Sequence, residues 1–310
     1  MEYVGKTGII LFIALAAFVA LGFVVPIFLS PTGIRNISGN ITLVASEDFG
    51  HRLIGVWDFG SDVDAPVMEM LRNVTEVEAK YGGLFLHSAF DLTSDVKGQR
   101  DWLYYVNGVY MREGLASYRP EPGEVVHVDY HYWGGYPSSP GFLSGYPEIL
   151  LYGVGGRERN VTVICPRELD DIGRWMASDL DQWLGYRPMV VHGLEETPLR
   201  GNLIVLTTTD SAGIFNRIRE WRPSGLWPVL IDGDDLILTR LTGNDLRLDE
   251  GCGIQCMDFA DRSSWALIVL ATDKDWIRRG VSAMNRDASL RYACAFALDG
   301  SGVILLPVIS

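Results

Sequence analysis

The run from Gly8 to Leu29, GIILFIALAAFVALGFVVPIFL, constrains this chain more than any other feature. It is 22 residues without a charge, about 33 Å as a helix at roughly 1.5 Å per residue, enough to cross a bilayer core. Nothing later in the sequence approaches that length. The competing reading is a cleaved export signal, which has about 7–15 apolar residues before a small-x-small cleavage site. This run is longer and ends in Val-Pro-Ile-Phe-Leu-Ser, so an uncleaved single-pass anchor is preferred. Lys6 precedes the span and Arg35 follows it, which leaves the positive-inside rule little to act on. The sequons at Asn36, Asn40, Asn73 and Asn160 suit an outside location. The expectation is a cell-membrane protein with its N-terminus inside and its bulk extracytoplasmic.

The residues beyond the span exceed one typical domain, and two are expected. An apolar fraction of 48% with 9 Trp, 13 Tyr and 12 Phe is ample for buried cores. A net charge of −13 argues against nucleic acid as a partner, since phosphate binding needs a basic surface. It argues equally against a peripheral grip on anionic lipid beyond the anchor. Cys165, Cys252, Cys256 and Cys294 all lie in the second half. Cys252 and Cys256 form a CxxxC with no nearby His, so a structural disulfide or buried thiols are favoured over a metal site.

From Asn40 the chain reads as strands. Ile41 to Ser46 and Leu53 to Phe59 flank Asp48-Phe-Gly-His as a hairpin. Between Ala65 and Tyr81, Val67, Met70, Leu71, Val74 and Val77 recur at helical spacing, and Pro66 suits the first turn. Leu84 to Phe90 reads as a strand. Asn107-Gly108, between Trp102-Leu-Tyr-Tyr-Val and Val-Tyr-Met, calls for a tight hairpin. A last strand runs from Val125 to Trp133, with Val126, Val128, Tyr130 and Tyr132 on one face. His127, Asp129, His131 and Trp133 take the other, and alternation implies that this face is half-exposed. Imidazoles and a carboxylate on one strand face also suit a divalent metal, but half-exposure alone explains them and no metal site is assigned. His51, His87 and His192 are isolated.

These elements come in the order of a β-grasp fold. The Asp-Phe-Gly hairpin, a helix ending near Lys80-Tyr-Gly-Gly, Trp102-Leu-Tyr-Tyr-Val-Asn-Gly, Tyr118-Arg-Pro-Glu-Pro-Gly-Glu and Val128-Asp-Tyr together resemble the transcobalamin-like C-terminal domain family. The resemblance spans about Ile41 to Trp133 and implies a β-grasp module that caps a corrinoid, cobalamin being the ligand of the animal carriers. Their large helical domain has no counterpart here. The aromatic residues Trp102, Tyr104, Tyr105, Tyr130, Tyr132 and Trp133, with Asn107, are the candidate ligand-binding set, although alternation lets only about half of such residues share a face.

Residues 134–156 are rich in turn formers and read as a linker. Beyond them strands and helices alternate. A helix from Arg167 to Leu184 has Leu169, Ile172, Trp175, Met176, Leu180 and Trp183 as its apolar stripe. Strands are expected at 161–165, 188–191, 203–207, 228–231, 236–239, 267–270, 293–298 and 303–308. Two of them, Leu203-Ile-Val-Leu and Leu267-Ile-Val-Leu, each lead into Thr-Asp at a helix start, ending in Asp210 and Asp273. Capping is the favoured role of both aspartates.

The fold class expected is α+β: a cytoplasmic stub and N-terminal transmembrane helix (1–30), a linker (31–39), a β-grasp-like domain (40–133), a second linker (134–156) and an open, doubly wound-like α/β domain (157–310). P-loop, HExxH, GxSxG and strand-borne GxGxxG motifs are all missing from the sequence, so catalysis is not expected. The leading expectation is a membrane-anchored extracytoplasmic protein binding a corrinoid or other small molecule for uptake, with a transporter component as its membrane partner. The alternative is a cell-surface protein-interaction or envelope-structural protein. An enzyme using Asp210 or Asp273 in the α/β crevice ranks third.

Overall fold

A hairpin frames the first half of the described chain. The computed structural model describes residues 39–134, 140–157, 160–193, 201–222, 225–258 and 264–309, all within one compact unit. The apolar run 8–29 and Asn36 lie outside these residues. Among the described residues no helix is long and apolar enough to cross a membrane. Over the described residues the architecture is mixed α+β, with four sheets and few helices.

β1 (Ile41–Glu47) turns through Asp48, Phe49 and Gly50 into antiparallel β2 (Arg52–Phe59). The three turn residues have φ of 57°, 63° and 83°. Left-handed backbone costs about 1–2 kcal/mol for a non-glycine residue, so Asp48 and Phe49 need external support. α1 (Val67–Arg72) buries Val67, Met68, Met70 and Leu71. It stops at Asn73, well short of the expected Tyr81. Val77 instead opens β3 (Val77–Lys80), which pairs with β4 (Phe85–Ala89), and β5 (Leu92–Thr93) completes a three-stranded sheet. The β-branched Val74, Thr75 and Val77 favour extended chain. Half-buried Val77 and Ala79 alternate with exposed Glu78 and Lys80, a period of two that the helical spacing masked.

β6 (Arg100–Val106) and β7 (Val109–Tyr110) meet at Asn107-Gly108 with φ of 46° and 77°, as a tight hairpin requires. β8 (Val125–Tyr132) pairs antiparallel with β6 and parallel with β1, giving the order β2-β1-β8-β6-β7. One face of this sheet covers α1 through Val126, Val128 and Tyr130. The other face is not half-exposed: His127, Asp129 and His131 are all fully buried. What covers it comes from the expected linker. Residues 140–146 run through the interior between two sheets, and Phe142 packs its ring 4.5 Å from Tyr105 and 4.4 Å from His127. Its N–H donates to Gly108 O at 3.1 Å, and Leu143 N–H donates to Ala293 O at 3.0 Å. A Cβ on Gly108 would lie 2.2 Å from Phe142 O, so this approach needs glycine.

Beyond α2 (Glu148–Tyr152), the second sheet holds β9 (Val161–Ile164), β10 (Met189–Val191), β11 (Gly201–Thr208), β15 (Cys252–Asp258), β16 (Ser264–Ala271), β17 (Ala295–Asp299) and β18 (Gly302–Leu306). Its order is β10-β9-β11-β16-β15-β17-β18. The first four strands are parallel and the last three antiparallel, so it is doubly wound over only half its width. α3 (Asp170–Leu184) follows β9, α4 (Gly213–Glu220) follows β11 and α5 (Lys274–Arg286) follows β16. A small sheet of β12 (Val229–Asp232), β13 (Asp235–Leu238) and β14 (Leu246–Leu248) packs alongside.

β15 is a wholly buried strand that the sequence reading passed over. Gly253 and Gln255 break its apolar run, and both serve β12. A Cβ on Gly253 would come within 2.6 Å of a Val229 methyl. The Gln255 amide accepts from Val229 N–H at 3.0 Å and donates to Val229 O at 2.9 Å, completing a ladder through a side chain. All four cysteines are buried free thiols, so of the two structural readings it is the thiols that hold. Burial pushes Cys165 up to about 11 and Cys252 to about 12.

Candidate functional site

Two constellations stand out, one open to solvent and one sealed. The open one is a cleft of about 590 Å³ between the start of β4 and the middle of β6. It exists because the neighbouring strands are short. β5 covers β4 only at Ser88 and Ala89, and β7 covers β6 only at Tyr105 and Val106. Leu84, Phe85 and Leu86 form one wall, and residues Asp101 to Tyr104 form the other. Tyr110 to Glu113, Leu115 and Trp133 complete it.

Large apolar side chains are exposed at and near its rim, beside polar lining from Asp101, Arg112 and Glu113. Leu84 is 64% exposed and Trp133 is 40% exposed, with Tyr81, 78% exposed, beside Phe85. Asp101 is the half-buried carboxylate of the cleft. Its Oδ1 accepts from Ser94 Oγ at 2.6 Å and from Trp102 N–H at 2.8 Å. Ser94 follows β5 and ties the two walls together, its hydroxyl also lying 3.4 Å from Leu86 O. Burial raises the Asp101 carboxyl above its ordinary range, against the lowering effect of these hydrogen bonds.

The expected ligand-binding residues divide around this cleft. Trp102, Tyr104 and Trp133 line it. Trp102 and Tyr104 are nonetheless largely core: Trp102 Nε1 donates to Leu92 O at 3.2 Å, and Tyr104 OH donates to Glu113 O. Tyr105 is fully buried against Phe142 on the opposite sheet face. Asn107 is occupied at both ends of its amide, accepting from Val125 N–H at 2.8 Å and donating to Gly153 O. Tyr130 packs tilted against Trp102, ring centroids 5.4 Å apart, and donates to Thr93 O at 2.8 Å, and Tyr132 OH donates to Gln99 Oε1 at 3.1 Å. Asp101 and Leu84 were missed. The available signal was an acid directly before an aromatic on a strand whose hairpin partner is only two residues long.

The sealed constellation centres on Asp129. Its four acceptor positions are filled by Phe49 N–H at 3.0 Å, Gly50 N–H at 3.1 Å, His131 Nδ1–H at 2.6 Å and Ser46 Oγ–H. These bonds and the neighbouring imidazoles hold its carboxyl below the ordinary range despite burial. The carboxylate thus sits as the anion in a nest of left-handed turn amides, which is the external support that Asp48 and Phe49 need. Because the Ser46 proton is committed to Asp129, His127 Nε2–H donates to Ser46 Oγ at 2.6 Å. His127 Nδ1 in turn accepts from Ser144 Oγ at 2.9 Å. Serine, histidine and aspartate here have the residue types of a nucleophilic triad, but all are fully buried and their hydrogen-bonding capacity is spent on one another. Among the described residues no group of three or more His, Cys, Asp or Glu can hold a metal ion.

In the α/β half, Asp273 is the cap expected of it, accepting from Asp275 N–H at 2.8 Å and Trp276 N–H at 3.2 Å. Asp210 is exposed in a short turn after β11 and caps nothing.

Residues 64–132 match the model of a family described as a domain of unknown function, DUF4430. That span runs from just before α1 to the end of β8 and takes in most of the cleft. None of the curated proteins matches the chain. Among solved structures, similarity is found to a 1.30 Å crystal structure of a "putative metal binding protein" from Ruminococcus gnavus ATCC 29149. It has 20% identity and a TM-score of 0.27, covering 31% of this chain and 98% of that one.

Proposed function

We propose that the protein is a membrane-tethered extracytoplasmic binding protein whose β4–β6 cleft takes a small molecule with a flat apolar body, for handover to a membrane uptake component. The observation that carries this reading is the cleft itself. A concavity of about 590 Å³, with exposed Trp133 and Leu84 around a half-buried carboxylate, has the size and mixture of surfaces of a small-ligand site. The anchor reading of residues 8–29 supplies the tether. The DUF4430 match falls on the stretch that resembles the transcobalamin-like domain, so corrinoids belong among the probes of the cleft. A second reading, a protein-interaction surface, draws on exposed Tyr81 and Leu84 at the rim.

The test uses the full chain in non-ionic detergent, titrated calorimetrically with indole, cobinamide and cobalamin. Saturable binding of at least one probe is expected, weakened about tenfold by Trp133→Ala through loss of one stacking face. Trp133 is exposed, so this variant is expected to keep wild-type stability. Saturable binding unaffected by Trp133→Ala would move the site off the cleft. A lack of binding by all three probes would overturn the small-molecule reading.

A further inference from the structure

Resting on that reading of the cleft, we infer that its ligand is a cationic amine, an ammonium group carried on an aromatic or apolar body. The charge of the cleft points that way. Asp101 and Glu113 contribute two carboxylates against the single guanidinium of Arg112. Only Asp101 lies at depth, where Ser94 and Trp102 N–H fix its orientation through Oδ1. Among the described residues both of these hydrogen bonds go to Oδ1 and none to Oδ2, on a side chain that lines the cleft. A carboxylate anchored by one oxygen and open at the other is a pre-oriented acceptor for an N⁺–H donor. Tyr110, Trp133 and Leu84 surround it with apolar surface, and aromatic faces beside an ammonium add cation–π attraction. An anionic ligand would meet Asp101 with repulsion, and a neutral one would leave its charge uncompensated in a partly desolvated place.

The experiment compares three indoles that share one ring and differ in the side-chain head: tryptamine, tryptophol and indole-3-propionate. Each is titrated into the full chain in non-ionic detergent near neutral pH. Tryptamine is expected to bind at least about tenfold more tightly than tryptophol, with indole-3-propionate weakest. Asp101→Asn keeps an oxygen for Ser94 and Trp102 N–H and removes the charge. It should erase the tryptamine advantage, bringing tryptamine down to about the affinity of tryptophol measured in the same variant. Equal binding of the three indoles, or an advantage of tryptamine that survives in Asp101→Asn, overturns the amine assignment and leaves the cleft a binding site. Tightest binding by the propionate overturns it in favour of Arg112 as the determinant. Failure of all three indoles to bind, together with indole itself, strikes the parent reading instead. Should Asp101→Asn fold poorly, Arg112→Gln is the second variant: it is expected to strengthen tryptamine binding, and weakening would count against the assignment.

Discussion

Asp129→Ala is expected to destabilise the protein by about 3–5 kcal/mol, the range for removing one partner from a buried charged network. The substitution strands four donors at once: Phe49 N–H, Gly50 N–H, the Ser46 hydroxyl and His131 Nδ1–H. Asp129 is fully buried, next to Phe49, whose ring stacks 4.1 Å from His131, so bulk water does not reach these donors in the folded protein. The loss also removes what holds Asp48 and Phe49 in left-handed conformations. Equilibrium denaturation should therefore show a lower midpoint with little change in slope, and the Phe49 and Gly50 amides should lose exchange protection. If the alanine variant does not fold, Asp129→Asn keeps the shape and two or three of the bonds and should lose a smaller part of the stability. A change below about 1 kcal/mol for Asp129→Ala would mean that the network is dispensable and that the turn is held by packing.

This network shows where sequence reasoning reaches and where it stops. Local chemistry was legible: the Asp-Phe-Gly hairpin, the Asn107-Gly108 turn, the Asp273 cap and the Ile172, Met176 and Leu180 part of the α3 stripe follow from short-range rules about φ, spacing and orphan N–H groups. Trp183, expected on that stripe, is exposed, and Leu184 is buried in its place. What alternation placed correctly was the shared face of His127, Asp129 and His131. It could not say what covers that face, because the cover comes from Phe142 and Ser144, in a stretch whose Gly, Pro and Ser content looks like loop. Turn-forming composition describes backbone conformation, and such a backbone can be buried when its polar groups find partners, as Phe142 N–H and Leu143 N–H do. β15 escaped for a related reason, since Gly253 and Gln255 look like breaks until β12 is in place to use them. The cleft escaped because it is made by strands that end early, and strand ends are set by tertiary pairing. Trp102, Tyr104 and Trp133 reached the candidate set by residue type. Asp101, which gives the cleft its charge, has no such signature.

The second large effect expected is acid destabilisation through His127. Burial is the main reason that its pKa falls from 6.5 to about 4, opposed by Asp129 and reinforced by His131. Its Nδ1 lone pair accepts from Ser144, and a proton there would force that hydroxyl to turn away. Between pH 6.5 and about 4 the unfolded chain takes up a proton at this position that the folded chain refuses. The unfolded state binds more protons, so stability falls as pH falls, by about 1.4 kcal/mol per pH unit across the window. The loss amounts to something on the order of 3 kcal/mol by pH 4, with none further from this group below it. Asp129 carries the trend onward: its carboxyl is depressed, so its stabilising share is present above the ordinary carboxylate range and disappears only in stronger acid. His51 is lowered by burial, which outweighs the raising effect of its hydrogen bond to Pro307 O, so it acts with the same sign as His127 and stays in place as an internal control. His127→Gln removes the titration and keeps hydrogen-bonding capacity toward Ser46 and Ser144. Unfolding free energies measured from pH 7 to 4 should fall steeply in the wild type and visibly less in the variant. Parallel curves for the two would mean that His127 is already protonated in the folded protein, stabilised by Asp129 more strongly than burial opposes it.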